Sequence, residues 1–125
     1  MSKVLLGVLL ALMLGAVACA PGPKGVVEKF YKAVEAGNMS EALDQVSSRV
    51  IQTIGRPKLE QALLSQNATM RRAGGLKSVD FQGEDVSGEV ARVPVRITLN
   101  NGQTQQLTVT LVKEQGAWKI DLTAK

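Results

Sequence analysis

The side chain with the most distinctive chemistry in this sequence is Cys19, the one cysteine among 125 residues. It follows the stretch Ala16-Val17-Ala18, which closes an apolar segment that begins after Lys3. One early cation, a short apolar run and small residues at its end are typical of a secretory signal peptide. The run is shorter than the ~17 residues that a membrane-spanning helix needs at the least. The sulfur of a lone cysteine at this place can remain a free thiol, form an intermolecular disulfide or form a thioether.

The stretch Ala16-Val17-Ala18-Cys19 resembles the bacterial lipobox. The resemblance implies a diacylglycerol on the cysteine sulfur, removal of residues 1–18, and acylation of the new amine, with palmitate as the expected chain. Each buried CH₂ contributes ~0.8 kcal/mol, so two or three acyl chains would hold a small domain at a membrane. Ala20, rather than an aspartate, follows the cysteine, which in this family implies the outer membrane on its periplasmic side. A free thiol, a disulfide and an uncleaved N-terminal anchor are the alternatives.

The charge and the size of the remaining chain exclude some classes of function. Without Lys3, 14 basic residues stand against 11 acidic ones, so the mature charge is +3, with the two signs interspersed. Nucleic-acid binding needs a surface of one sign with stacking side chains or a recognisable module, and we exclude it. No histidine is present, so the usual metal ligand and proton carrier near neutral pH is missing. The roughly 100 residues after the leader make one domain.

Three helices are predicted to open this domain. Apolar residues recur from Gly25 at the spacing of one helix face, and Gly37 is expected to end the first helix in a left-handed conformation. Ser40 is predicted to be the N-cap of a second, shorter helix. Pro57 suits the first turn of a third helix, which Gly74-Gly75 should end. The inner faces of the second and third helices are expected to carry Ala42, Leu43, Val46, Leu59, Ala62, Leu63 and Met70.

A four-stranded antiparallel meander is predicted to follow, because the hydrophobic period falls to two after Leu76. The positions expected to point inward are Val79, Phe81, Ala91, Val93, Val95, Ile97, Leu99, Leu107, Val109, Leu111, Trp118, Ile120 and Leu122. A three-residue loop at Asn100-Asn101-Gly102 predicts that Val95 pairs with Leu107. The same loop at Val86-Ser87-Gly88 predicts that Phe81 pairs with Val93, each glycine being left-handed beside a G1 bulge.

Pro94 stands within the long second strand, although proline cannot donate to a strand ladder. The strand is therefore expected to bend at this residue, as a strongly curved sheet requires.

The segments VVEKFYKAVEAGN, SEALD and VTLVKEQGAWKIDL resemble the nuclear transport factor 2-like or ketosteroid isomerase-like (cystatin-like) superfamily, and in particular a domain of unknown function of small bacterial lipoproteins. The resemblance covers residues 25–123. It implies an α+β fold with N-terminal helices packed on a strongly curved, cone-shaped sheet. The expected organisation is a signal peptide at 1–18, a lipidated cysteine with a short linker at 19–24, and the domain at 25–125.

Some members of that superfamily are enzymes, but the expected interior offers little chemistry. No predicted inward strand position is ionisable, and Asp80 alternates with Val79 and Phe81 and should point outward. Acid–base catalysis needs groups within ~3 Å of the substrate. We therefore predict no catalytic residue, no cofactor and no metal site. The candidate pocket lining is Tyr31, Gln66, Met70, Val95, Ile97 and Trp118. The alternatives, a core tyrosine for Tyr31 and a helix edge at the mouth for Gln66, are favoured over a role in binding.

The outer face of the sheet is predicted to carry a short basic stripe of Arg92 and Arg96, near Lys119. Asp80 is expected opposite Pro94 and diagonal to both arginines. Exposed pairs of this kind contribute ~0–1 kcal/mol, so they describe a solvated face as well as a contact surface. Whether a homodimer forms through this face stays open.

Two hypotheses of function remain. The first is a lipid-anchored interaction or scaffold module that docks a protein of the cell envelope. The second is a binding module that holds a small apolar ligand or a peptide in the cone. A domain of this size has little core to spare for a cavity, which favours the scaffold slightly. A pocket of several hundred Å³ open between helix and sheet would reverse that preference, according to the usual size of ligand sites.

Overall fold

The structure is a computed structural model that describes residues 21–122, so the leader and Cys19 lie outside the described residues. The described helices are α1 (Pro23–Ala36), α2 (Met39–Asp44), α3 (Ser48–Ile54) and α4 (Arg56–Arg72). The described strands are β1 (Leu76–Phe81), β2 (Asp85–Ser87), β3 (Val90–Leu99), β4 (Thr104–Glu114) and β5 (Ala117–Ile120). The antiparallel sheet has the order β1-β3-β4-β5, with β2 also paired to β3. It curls into a half-barrel against the helices, which confirms the predicted α+β fold.

Helix α1 forms the centre of the core, as its apolar spacing predicts. It begins at Pro23, two residues before the expected start. Gly37 ends it with φ 79°, and the N–H of Asn38 returns to the carbonyl oxygen of Ala33 at 2.9 Å. This left-handed end, which glycine adopts without strain, confirms the predicted stop. The buried face consists of Val26, Val27, Phe30, Tyr31, Ala33 and Val34.

Two predictions about the short helices are wrong. Asn38, not Ser40, caps α2, because its side-chain oxygen accepts the N–H of Glu41 at 3.1 Å. Helix α3 was not expected at all, and Ser47 caps it through the N–H of Val50 at 3.2 Å. A helix of seven residues has too few apolar positions to show a period. Its stability comes from tertiary packing of the fully buried Val50 rather than from a sequence pattern.

Helix α4 follows its prediction except at one position. Pro57 lies in the first turn, and the glycine pair after Ala73 ends the helix with positive φ angles. Leu59, Leu63 and Met70 are buried, but Ala62 is exposed. An alanine has too little apolar surface to decide which way its helix face turns, so the larger neighbours set the orientation.

The β3–β4 hairpin has the predicted register. Val95 pairs with Leu107 and Val93 with Val109. Gly102 has φ 92°, and its N–H donates to the carbonyl oxygen of Leu99 at 2.9 Å. The three-residue loop is therefore confirmed.

The first hairpin differs from its prediction by two residues. Phe81 pairs with Val95, not with Val93. Ser87 pairs with Val90, so the turn is the two-residue Gly88-Glu89 rather than the predicted three-residue loop. A shift of two residues leaves every side chain on its predicted face, which is why periodicity could not detect it.

An interruption at residues 82–84 divides the predicted first strand into β1 and β2, and the register against β3 changes by one residue across it, since Asp85 faces Arg92 whereas Phe81 faces Val95. The interruption lies opposite Pro94, whose carbonyl oxygen accepts the N–H of Gln82 at 2.8 Å. Because proline lacks an N–H, Pro94 cannot donate a hydrogen bond to the neighbouring strand, and the pairing is interrupted next to it.

The two ends of the half-barrel are closed differently. At the end that we call the closed end, Ile120 of β5 links to the helical layer, accepting the N–H of Ser47 at 2.9 Å and donating to Gln45 at 2.7 Å. Leu43, Leu111 and Ile120 are at most 1% exposed there. Leu122 was expected to point inward, but it follows the end of β5 and is 45% exposed. It lacks a paired strand to hold it against the core.

Candidate ligand-binding cavity

The opposite end, which we call the open end, contains a cavity of about 380 Å³ between the helices and the sheet. Helices α1 and α4 form one wall, and the tip of the β3–β4 hairpin forms the other. The lining residues are Tyr31, Gln66, Thr69, Met70, Ile97, Leu99, Gln103, Thr104 and Gln105.

Tyr31 stands at the bottom of this cavity. Its ring packs edge-to-face on Phe30, with ring centres 5.3 Å apart and planes at 82°, so α1 holds it rigidly. The residue is 8% exposed. Among the described residues, none forms a hydrogen bond with its hydroxyl. Every fully buried side-chain oxygen or nitrogen in that range has a partner, so the Tyr31 oxygen is not fully buried. The hydroxyl is therefore not sealed in the core, and because Tyr31 lines this cavity and the smaller one described below, it can donate to a molecule bound beside it. Burial raises the pKa of Tyr31, so the hydroxyl keeps its proton at neutral pH.

Helix α4 contributes a polar rim and an apolar floor. Gln66, Thr69 and Met70 lie three and four residues apart, so they share one helix face. The neighbouring Asn67 fixes this helix to α1, because its amide donates to the carbonyl oxygens of Val34 at 2.8 Å and of Glu35 at 3.0 Å. These carbonyls are at the end of α1, where that of Val34 otherwise accepts only the N–H of Gly37, at 3.1 Å. The sequence showed Asn67 only as an interruption of the apolar stripe, whereas its role depends on tertiary contact.

The hairpin tip is tied to the end of α4 by Asn100. Its backbone N–H donates to the carbonyl oxygen of Gly75 at 2.9 Å, and its side chain donates to that of Gly74 at 2.7 Å. Glu35 adds a contact from α1 to the N–H of Leu76. Polar bonds therefore join the walls at the mouth of the cavity.

Four of the six predicted pocket residues line this cavity, namely Tyr31, Gln66, Met70 and Ile97. Val95 is fully buried in the core below them. Trp118 lies away from the cavity on β5, where the ammonium of Lys113 is 5.4 Å from its ring centre. The sequence analysis missed Thr69, Leu99 and residues 103–105. Thr69 could have been found from its three-residue spacing after Gln66.

The basic residues predicted as a surface contact lie on two strands: Arg92 and Arg96 are both exposed on one face of β3, and Lys119 pairs with Val112 on the far side of β4. Arg96 is opposite Gln106, whose amide oxygen, in the orientation that satisfies its neighbours, accepts from Arg96 at 2.7 Å. Asp80 faces Arg96, not Pro94 as predicted, because of the two-residue register shift. Arg92 faces Thr110, and Lys119, on β5, donates to the carbonyl oxygen of Asp44.

A second, smaller cavity of about 200 Å³ lies on the other side of Tyr31. Its walls are Phe30 and Tyr31 of α1, the middle of β4, and the chain that leaves β5. The lining residues are Phe30, Tyr31, Leu107, Thr108, Val109, Thr110, Ile120, Asp121 and Leu122. The two cavities thus follow the same inner edge of β4, with one tyrosine between them.

The chemistry of the larger cavity is that of an electroneutral binding site. Its lining offers aliphatic surface, three glutamine amides and three hydroxyl groups, and no carboxylate, ammonium or guanidinium. Residues 21–122 contain no cluster of carboxylate or other ligating side chains that could hold a metal ion. None of the helices in that range combines the length and the hydropathy that a transmembrane helix requires.

A family model described as "Domain of unknown function (DUF4878)" matches residues 17–121. No curated protein matches the sequence.

Among solved structures, similarity extends to a Campylobacter jejuni protein provisionally described as an NTF2-like transpeptidase, with 21% identity and a TM-score of 0.71 over 82% of this chain and 100% of that one. A Thiobacillus denitrificans protein, provisionally described as a calcium/calmodulin-dependent protein kinase type II association domain, has 17% identity and a TM-score of 0.59 over 81% and 90%. An uncharacterized cystatin fold protein from Novosphingobium aromaticivorans has 8% identity and a TM-score of 0.51 over 77% and 92%. These similarities show the fold, which is nuclear transport factor 2-like or cystatin-like.

Proposed function

The chain belongs to the DUF4878 family, and we propose that its domain is a binding module that holds a small, mostly apolar group in the cavity at the open end. The observation that carries this proposal is a space of about 380 Å³ with an aliphatic floor and a neutral polar rim. Ligand sites commonly measure ~300–1,000 Å³ and combine apolar walls with a few polar groups. The slight preference for a scaffold, drawn from the size of the domain, is therefore reversed.

The lining favours binding without catalysis. Proton transfer needs an acid or a base whose pKa is near the working pH. The hydroxyl of Tyr31 has its pKa raised further from neutrality by burial, and no lining residue could serve as its partner base. A neutral ligand with an apolar body and one or two polar atoms suits the side-chain amides of Gln66 and Gln105.

A cavity-filling variant with a matched control tests this proposal. Gln66→Trp places an indole at the rim of the cavity, whereas Gln61→Trp adds the same group at an exposed position of the same helix. The probe is 1-anilinonaphthalene-8-sulfonate, added to the full chain carrying Cys19→Ala. We expect Gln66→Trp to weaken binding at least roughly tenfold and Gln61→Trp to leave it unchanged. Equal effects of the two variants, or no saturable binding, would contradict the proposal.

Native mass spectrometry of the protein purified from its own host identifies what it binds. A co-purifying small molecule supports the binding module. A stable protein partner instead, without a ligand that Gln66→Trp displaces, would favour the scaffold role.

The proposed location is the cell envelope, with the domain anchored by lipid on Cys19 and facing the periplasm at the outer membrane. The basis is the lipobox resemblance of residues 16–19 and, for the outer membrane, Ala20 in place of an aspartate. Cys19→Ala removes the sulfur that would carry the diacylglycerol, so we expect the variant to lose acylation and to leave the membrane fraction. Ala20→Asp, which keeps the cysteine, should stay acylated and move to the inner membrane. A Cys19→Ala chain that remains fully bound to the membrane without acylation would refute the lipid anchor.

A further inference from the structure

Strand β4 extends well beyond the strand beside it. β3 pairs with it from Val112 to Thr104, but β5 pairs only with residues 111–114. One more backbone bond on that side runs from the N–H of Asp121 to Thr110 at 2.8 Å. Within the part of the chain that the structure describes, the β4 edge at residues 104–108 therefore has no strand beside it.

The backbone groups on this edge alternate in direction. The N–H of Leu99 donates to Gln103, and that of Lys113 donates to Glu89, so the odd-numbered residues of β4 are bonded to β3. Thr104, Gln106 and Thr108 consequently direct their N–H and C=O groups towards the open edge. Each of these three residues presents one donor and one acceptor, and they recur every ~7 Å. A row of this kind is complementary to the backbone of another extended chain.

Within residues 21–122, the edge also lacks the features that proteins use to prevent strand addition. Such edges commonly carry lysine or proline, or are covered by a helix or loop. The three residues whose backbone groups face this edge are two threonines and a glutamine, and none of them is charged. On the inner side, the edge is flanked by the two cavities on either side of Tyr31. Those cavities could accept side chains from alternate residues of an added strand.

We propose that the ligand of this domain is an extended segment of a partner protein, which adds to β4 as a further strand and places apolar side chains in the two cavities. This inference rests on the proposed function, because it specifies the class of molecule that the larger cavity binds. Main-chain bonds to Thr104, Gln106 and Thr108 would provide affinity, and the cavities would select the side chains, as in strand addition generally. A single strand fits better than the β4 edge of a second copy, whose inward side chains Gln105 and Leu107 already line that copy's own cavities.

Hydrogen exchange at single amides tests the proposal. The probe is a capped eight-residue peptide in which valine alternates with threonine and lysine stands at each end, added to the full chain carrying Cys19→Ala. We expect exchange at Thr104, Gln106 and Thr108 to slow at least roughly tenfold, because their amides become bonded. The amides of Gln105 and Leu107, already bonded to β3, should change little. The absence of this alternation at saturating peptide would overturn the proposal.

Two N-methylated forms of the same peptide provide a matched control. One carries methyl groups on the threonine amides and the other on the valine amides, and only one of the two sets can face β4. The form methylated on the facing side should bind at least roughly tenfold more weakly, and the other form nearly as well as the parent. If methylation of the threonine amides weakens binding, the peptide adds antiparallel to β4; if methylation of the valine amides does, it adds parallel. Equal losses of affinity in the two forms would refute strand addition.

A substitution in the protein isolates the same donor. Gln106→Pro removes an N–H that faces the open edge, so β3 keeps its bonds, and proline is tolerated in that position of an edge strand. Gln106→Ala removes the same side chain but keeps the donor. We expect Gln106→Pro to weaken the peptide roughly fivefold or more relative to Gln106→Ala. Equal affinities of the two variants would contradict strand addition.

The outcomes separate this inference from the proposed function. If the dye binds and Gln66→Trp abolishes its binding, but the peptide protects no amide, the cavity binds ligands and strand addition is wrong. If neither probe binds, both proposals fail. Protection of Gln106 and Thr108 without peptide would mean that a second copy or the chain's own end already covers the edge. That result would also overturn the inference, and sedimentation would distinguish the two cases.

Discussion

The closed end and the open end of the half-barrel present the same inner alternation of aliphatic strand residues but differ in what covers them. At the closed end, β5 pairs with β4 and its Ile120 is bonded to the chain between α2 and α3. At the open end, β4 has no further strand in the described chain, and α4 presents Gln66 and Thr69 instead of large apolar side chains. Apolar packing fills most of the first end, where a space of about 200 Å³ remains beside Ile120, and the larger cavity lies at the second.

The difference shows how a domain of about 100 residues can remain stable although part of its interior is left unfilled. Burial of aliphatic surface at the closed end stabilises the fold by roughly 25 cal/mol per Å². The walls of the open end are instead fixed by directional bonds, from Asn67 to the end of α1 and from Asn100 to the end of α4. Such bonds hold a wall in position without filling the space beside it.

The largest expected effect concerns apolar truncation at the two ends. Leu43→Ala at the closed end leaves a sealed void around a side chain that is 1% exposed, so we expect a loss of about 2–5 kcal/mol in the free energy of unfolding. Met70→Ala borders a cavity that already exists and should cost less, about 1–2 kcal/mol for the transfer of the side chain alone. Urea denaturation of both variants measures the difference. Equal losses would mean that the two ends are packed alike.

Asn67→Ala tests whether a polar bond holds the open end. It removes the side-chain donor from the carbonyl oxygen of Glu35 and leaves that of Val34 with only the N–H of Gly37, so we expect a loss of about 1–3 kcal/mol. Ser65→Ala, at an exposed position of the same helix, is the control and should change stability by less than about 0.5 kcal/mol. A loss from Asn67→Ala as small as that of the control would show that apolar contacts alone position α4.

The pH dependence of stability should reveal the burial of Tyr31. Burial raises its pKa in the folded state above the ordinary value of about 10, so above that pH the unfolded chain releases a proton that the folded chain retains. The contribution is complete below pH ~10 and is lost as the pH rises towards the folded pKa. Between about pH 9 and pH 11, a range that brackets the ordinary tyrosine pKa, the Tyr31→Phe variant should therefore lose less stability than the parent chain. Parallel curves for the two chains would mean that Tyr31 is solvated.

The smallest effect is expected on the outer sheet face. Asp80 and Arg96 are opposite each other on neighbouring strands and both are exposed. A double-mutant cycle with Asp80→Ala and Arg96→Ala should give a coupling energy of about 0–1 kcal/mol, decreasing with salt. A larger, salt-independent coupling would make this face a structural element rather than a solvated surface.

The strongly periodic parts of the fold were predictable, and the short-range exceptions were not. The α1 stripe, the stop at Gly37 and the β3–β4 register follow from local rules about period and turn chemistry. The register of the first hairpin was wrong because a shift of two residues preserves both faces, so the pattern contains no information that distinguishes the alternatives. Helix α3 was missed because it is shorter than two periods.

The candidate site was predictable only in part. Tyr31, Gln66, Met70 and Ile97 could be assigned to the interior or its rim from their positions on periodic elements. Val95 shares the inward face with Ile97, and only the depth of each position in the curled sheet makes one a core residue and the other a cavity residue. The open edge of β4 depends on where β5 ends, which the alternation of Trp118, Ile120 and Leu122 overestimated.

Sequence by itself determined which faces are apolar, where α1 ends and where the chain turns between β3 and β4, because these properties depend on residue type and spacing within one element or one turn. Tertiary structure decided how far the neighbouring strand extends, which carbonyls Asn67 meets and how much space remains around Tyr31. Those features depend on distances between elements that are far apart in the chain, and a difference of a few ångströms separates a filled core from a cavity.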